Sequence, residues 1–117
     1  MNPLIAVIPA FLVRFFASPY VAGDSLHKAM AVVQKLKKDR GLWSTLDLLA
    51  EDIRTPEQAQ QNLDAYLQMI EAAAALPADQ RPTVSLKPSS YTTAPLQLGG
   101  DAAGSWSAME RICQRAA

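Results

Sequence analysis

The sequence predicts an α/β fold of consecutive strand–helix units, and three observations predict it. Two short apolar segments, Trp43 to Glu51 and Thr83 to Lys87, read as strands that end in charge. A pattern of apolar residues three and four apart precedes each of them. Strong helix-boundary signals separate the segments. The order strand–helix–strand–helix–strand is met most simply by parallel strands with right-handed crossovers, and both helices then bury their apolar stripes on the sheet.

The elements follow in chain order. Residues 1–18 are read as an N-terminal apolar helical segment, with Leu4 to Val13 mostly apolar and Phe15 and Phe16 beyond. The run is too short to cross a bilayer, is interrupted by Pro9, and lacks the basic region of a secretory signal. A helix packed on the protein body is the preferred reading, with peripheral membrane contact through Leu12, Phe15 and Phe16 as the second. Pro19 to Gly23 reads as a short strand. Asp24 or Ser25 caps a helix to about Arg40 with Leu26, Met30, Val33 and Leu36 on one face. Lys35, Lys37, Lys38 and Arg40 suit its C-terminus, and Gly41 its end.

Leu42 to Leu48 is the next strand, with Trp43 expected in the core. Thr55-Pro56-Glu57-Gln58 then starts a helix: Thr55 caps, Pro56 fits the first position and Gln58 completes a capping box. Its apolar face is Ala59, Leu63, Tyr66, Leu67, Ile70 and Ala74, and Leu76-Pro77 ends it. Thr83 to Lys87 is the third strand. A long irregular stretch from Pro88 to Trp106 follows, of the kind used for active-site loops. Ser107 to Glu110 opens a last helix with Met109, Ile112, Cys113 and Ala116 on one side. Three such strands leave an edge bare, so the chain reads as the N-terminal part of a longer protein or as a small domain that dimerises.

Composition narrows the function classes. Half the residues are hydrophobic (50%), 19% are charged and the formal net charge is zero, a globular balance without the basic excess of a nucleic-acid binder. Cys113 is the single cysteine, read as packing rather than as a thiol nucleophile. His27 is the single histidine, placed in a helix's first turn, and no metal-ligand spacing surrounds it.

The chemistry is sought at Asp47, Glu51 and Lys87, because α/β folds place reacting groups at the downstream ends of parallel strands. Paired carboxylates serve acid–base work or orient a polar group. A strand-end lysine can reach a substrate carboxylate, a phosphate or an electron-rich cofactor atom. The alternative is an ion-pair network among the three. Gly99 to Gly104 lacks the spacing of a phosphate-binding fingerprint, and Tyr91, just after Lys87, is read as stacking on a ligand or as loop packing.

Three stretches carry a resemblance: Tyr20 to Leu26, Thr45 to Glu51, and Val84 to Ser89. In this order and spacing they resemble the proline dehydrogenase family. The resemblance implies the first three units of a partial (β/α)8 TIM-like barrel over residues 19–117, preceded by the helical segment. It implies noncovalent FAD, oxidation of L-proline to 1-pyrroline-5-carboxylate by hydride transfer to the flavin, and a quinone or other electron acceptor. Lys87 would then be the catalytic-site lysine that binds the proline carboxylate, with Asp47 and Glu51 at the mouth and Glu51 as a gate. It implies a cytoplasmic flavoprotein of proline catabolism, peripheral to the inner face of the membrane. Ala50 and Pro88 depart from the family's glycine and leucine. The remaining cofactor-binding elements have no counterpart here, so the fragment alone is expected to be inactive. Two other readings stand beside this one. The first is a non-catalytic dimeric α/β interaction domain, and the second is a different cofactor-dependent barrel, flavin or pyridoxal phosphate, that uses Lys87, with a Schiff-base role for Lys87 left open.

Overall fold

The computed structural model of the chain describes residues 9, 11–12, 25–51, 53–93 and 102–117, with side chains in the last stretch from residue 104. The strand expected at Pro19 to Gly23 and most of the 1–18 segment lie outside them. Of that segment, Phe11 and Leu12 are exposed, and the Leu12 N–H donates to the Pro9 carbonyl at 3.0 Å.

Helix α1 spans Leu26–Arg40. Ser25 is its extended N-cap and accepts from the Lys28 N–H at 3.3 Å, which satisfies one orphan donor of the first turn. Gly41 ends it with φ 67°, a left-handed conformation that costs little without a Cβ, and its N–H donates to the Lys37 carbonyl at 2.9 Å. Met30 and Val33 are its buried residues. Strand β1 is Thr45–Leu46.

Helix α2 spans Pro56–Ala74. The capping box forms as the sequence implies: Gln58 N–H donates to Thr55 Oγ1 and Thr55 N–H to Gln58 Oε1, both at 3.2 Å. The helix buries Leu63, Tyr66, Met69 and Ala73. Its far end is held by Arg81, which donates to the Leu76 and Ala74 carbonyls at 3.0 Å each, a cation where the helix dipole is negative. A 3-10 turn at Ala78–Gln80 leads to strand β2, Thr83–Val84. A second 3-10 turn follows at Pro88–Ser90, and helix α3 spans Ala102–Ala116.

The two strands pair in parallel, Thr45 opposite Thr83 and Leu46 opposite Val84. Thr83 N–H donates to the Ser44 carbonyl at 3.0 Å and Ser85 N–H to the Leu46 carbonyl at 2.9 Å. On one face the Thr45 and Thr83 hydroxyls meet at 2.7 Å and are exposed. On the other face Leu46 and Val84 join the core with Met30, Val33, Leu63, Tyr66, Met69 and Ile112. Helix α3 packs on α2 and on the 88–90 turn, while α1 packs on α2. The Tyr66 and Tyr91 rings meet edge to face, with centroids 5.7 Å apart.

This architecture corrects the expected partial (β/α)8 TIM-like barrel. Among the described residues the fold is mostly helical, with one open two-stranded sheet. A barrel needs strands long enough to tilt, stagger and close on themselves. Here the ladder is cut short where both strands leave it downstream. Pro88 cannot donate and opens a 3-10 turn, while the Ile53 N–H donates to the Glu51 carbonyl in a tight bend after β1. Trp43, expected in the core, is 63% exposed because it precedes the ladder. Cys113, read as core or interface packing, is exposed and so outside the core; the buried side of α3 is Ser105, Ala108 and Ile112.

Because the Thr55 hydroxyl accepts from the Gln58 N–H at the first turn of α2, Thr55→Ala should lower stability by about 1 kcal/mol. The shift is read from the urea midpoint at unchanged slope.

Candidate functional site

The three charged residues singled out by sequence converge at the downstream ends of β1 and β2. Parallel pairing places the residues after Leu46 beside those after Val84. Lys87 Nζ donates to Asp47 Oδ2 at 2.8 Å and also to Glu51 Oε1. One ammonium therefore bridges two carboxylates, and the group carries a net charge of −1. All three side chains are partly open to solvent, between 34% and 39% exposed.

The electrostatics follow from this contact. The Lys87 hydrogen bond holds the Glu51 carboxyl below its ordinary value, with a backbone hydrogen bond acting in the same direction. Hydrogen bonds to Asp47 and then Glu51 push Lys87 above the ordinary lysine value. An amine held so firmly as ammonium is a poor nucleophile, so this geometry gives no support to Schiff-base chemistry at Lys87.

Beneath the charges lies a polar layer that the sequence did not single out. Asn62 on α2 donates to the Ala50 and Ser90 carbonyls, each at 2.8 Å, and so ties the two strand-end loops to the crossover helix. Ser105 on α3 donates to the Pro88 carbonyl at 2.7 Å. The available signal was a polar residue next to Leu63 on an otherwise apolar helix face. Tyr91 is buried against Tyr66 and does not cover a ligand from the loop. The Ser90 hydroxyl is buried without a hydrogen-bond partner, and burial raises Tyr66 and Tyr91 above their ordinary values. A shallow cavity of about 310 Å³ opens between the 49–53 bend and the first turns of α2.

The flavin implied by the resemblance does not fit these residues. Its pyrophosphate calls for free cations or orphan helix amides. Lys87 is bound to two carboxylates, and the first turn of α2 has its cap filled by Thr55 and carries the acidic Glu57. The carboxylate of L-proline meets the same obstacle. Among the described residues, no cluster of three histidine, cysteine or acidic side chains could hold a metal ion. No described helix is long and apolar enough to cross a membrane.

Glu51 has a lowered folded-state pKa, so its contribution to stability is present above its ordinary value of 4.5 and is lost as pH falls through the folded value. Lys87, Tyr66 and Tyr91 have raised folded-state values, so their contributions are present below the ordinary 10.5 and 10.0 and are lost as pH rises beyond these. Thermal unfolding should thus show a plateau with declines on both sides, and Lys87→Met should weaken the acid-side decline. Ser90→Ala should leave stability unchanged or raise it by up to about 1 kcal/mol in urea unfolding, since the lost hydroxyl is buried without a partner and the Ser90 carbonyl still accepts from Asn62.

Comparison with known proteins gives one partial similarity. The chain is 42% identical over 74 residues to a protein named proline dehydrogenase from Deinococcus radiodurans, a match covering 63% of this chain and 23% of that protein. The chain thus spans less than a quarter of the relative that it matches. No family model matches the chain. These findings overturn the expected assignment of this chain as an FAD-dependent proline dehydrogenase. The similarity is partial, the described sheet is an open pair of strands, and the strand-end residues do not fit a flavin. The same correction applies to the expected catalytic function and to the expected barrel flavoprotein.

Proposed function

We propose that this chain is a non-catalytic α/β interaction domain that pairs with a second copy of itself through the outer edge of β2. The observation that carries the reading is the incomplete cover of a parallel sheet. Parallel strands are ordinarily buried on both faces and flanked by further strands. Here the Thr45 and Thr83 face is exposed, and among the described residues the sheet stops at two strands.

The direction of the ladder names the free groups. Thr83 and Ser85 turn their N–H groups towards β1, so the intervening Val84 turns its N–H and carbonyl outward. Such an edge is a template for another strand. Antiparallel pairing of β2 with its copy about a two-fold axis would join two sheets into one, an isologous contact that closes at the dimer. In this reading Lys87, Asp47 and Glu51 hold the strand ends in register and leave the edge presentable. The similarity to a protein named proline dehydrogenase supports a setting in proline-related metabolism, in which this domain contributes assembly rather than turnover. We place it in the cytoplasm, where a lone exposed thiol such as Cys113 stays reduced.

Sedimentation of the 117-residue chain should give a compact dimer. Val84→Pro removes an outward N–H without touching the bonds to β1, so it should give a monomer with unchanged helical circular dichroism. In the dimer the Val84 amide should exchange slowly with solvent. A monomer at all concentrations, or a Val84 amide that exchanges freely in the dimer, refutes the pairing.

A further inference from the structure

We propose that the two ends of the sheet dock on one another between copies of this chain, with Trp43 of one copy entering the cavity at the 49–53 bend of the next. The donor end lies just before β1. Lys35, Lys38 and Arg40 are exposed there and, among the described residues, pair with no carboxylate. Lys37 holds its ammonium 3.7 Å from the centre of the Trp43 ring. Leu42 and Trp43 stand beside these cations at 49% and 63% exposure. Gly41 fixes the turn, and the Leu42 N–H donates to the Leu36 carbonyl at 3.2 Å. An exposed ring set in place by an ordered turn and a neighbouring cation loses little freedom on docking.

The acceptor end follows β1. Its cavity of about 310 Å³ is lined by Leu49, Ala50, Glu51 and Ile53 and by the amide side chains of Gln58, Gln61 and Asn62. Leu49 is 79% exposed, an apolar side chain that the described fold leaves uncovered. A tryptophan suits such a site, because it brings a large apolar body and one N–H donor. Asn62 spends both amide hydrogens on the Ala50 and Ser90 carbonyls, which leaves its side-chain oxygen as an acceptor for an indole N–H. Glu57 lies one helical turn before Gln61 on α2 and is exposed, so it places a carboxylate on the same side of the helix.

Charge names the partner. From Lys35 to Arg40 there are four bases and one acid. From Asp47 to Glu57 there are four acids and one base, Arg54, and Lys87 offsets one of the acids. Opposite patches of this kind steer the encounter and fix its orientation. The two surfaces lie at opposite ends of β1, so a copy does not fill its own cavity, and the contact is head-to-tail. It is independent of the β2 edge. A nucleic acid fits the donor end less well, since Lys37 covers one face of the Trp43 ring, Leu42 cannot stack on a base and the whole chain has no basic excess.

The test follows the full chain at low ionic strength. Its sedimentation coefficient should rise with concentration above that of the high-salt species, and added salt should reverse the rise. In Trp106→Phe, which leaves Trp43 as the sole tryptophan, emission should shift to the blue over the same concentrations. Trp43→Ala, at an exposed position, should raise the dissociation constant at least about thirtyfold with circular dichroism unchanged. Lys35→Gln with Lys38→Gln should raise it roughly three- to tenfold. Gln61→Trp, at an exposed position of α2, fills the cavity and blocks the other end. At concentrations where the unaltered chain grows, neither Trp43→Ala nor Gln61→Trp should grow alone. Their equimolar mixture should associate, since each supplies the end that the other lacks. The species present in high salt, monomer or dimer, reports on the β2 pairing separately. No growth at low salt, an unshifted Trp43 emission, undiminished affinity of the lysine variant, or a mixture no larger than its components overturns the proposal, as does tighter binding of the Trp43 end to a single-stranded RNA oligonucleotide than to a second copy.

Discussion

Two parallel strands cannot be joined by a tight turn, and most of this structure follows from that constraint. The chain must leave β1, cross the sheet and return to the same end before β2 begins. Helix α2 makes that crossing over Pro56–Ala74. Its start is fixed by the Thr55–Gln58 box and its end by Arg81, so the crossing has a defined length. Its inner face, Leu63, Tyr66, Met69 and Ala73, then supplies the centre of the core on which α1 and α3 pack. Each of these positions is three or four residues from the next, the spacing of one helix face.

The same crossing brings charges together that lie 40 and 36 residues apart in sequence. The contact depends on register. Side chains alternate between faces, so a slip of one residue would turn Lys87 away from Asp47 and Glu51. Partly exposed ion pairs contribute little net stability, because solvent screens them and long side chains lose freedom. Their effect here is to favour one alignment of strands only two residues long, whose ladder alone specifies little. Asn62 reinforces that alignment by bonding the Ala50 and Ser90 carbonyls from the crossover helix.

What was legible in the sequence was local. Ser25, Gly41, Thr55, Pro56 and Gln58 fixed helix ends because caps act within a few residues and need no distant partner. Met30, Val33, Leu63 and Tyr66 were legible as buried because periodicity marks a face whatever it packs against. The meeting of Lys87 with Asp47 and Glu51 could be anticipated from parallel order alone. Long-range extent was not legible. Strands of five to seven residues were expected, and two pairs form, because pairing length depends on neighbours and on where the backbone bends. Trp43 looked like core by its chemistry, yet it stands before the first ladder bond. On α3 the capping pattern at Ser107 suggested a later start, while the helix begins at Ala102 and so buries Ser105 and Ala108 ahead of Ile112. The barrel expectation failed for the same reason. A strand-end motif records the local setting of a few residues, and closure is a property of a complete ring of strands.

A net charge of zero conceals an uneven distribution along the sheet axis. At the downstream end two carboxylates surround one lysine and leave a surplus of negative charge. At the upstream end four cations crowd the last turns of α1 with a single acid among them. The two ends also differ in what lies beside the charge. Downstream, the polar groups of Asn62, Ser90 and Ser105 tie loops to helices, and the ion pairs are consumed within the chain. Upstream, the neighbours are Leu42 and Trp43, and only Lys37 has an aromatic contact to occupy it. Charges that pair within the fold stabilise a register, whereas charges left unpaired beside apolar surface are available to a partner. That difference, rather than the conventional placing of chemistry at downstream strand ends, separates the part of this chain that orders itself from the part that can act on something else.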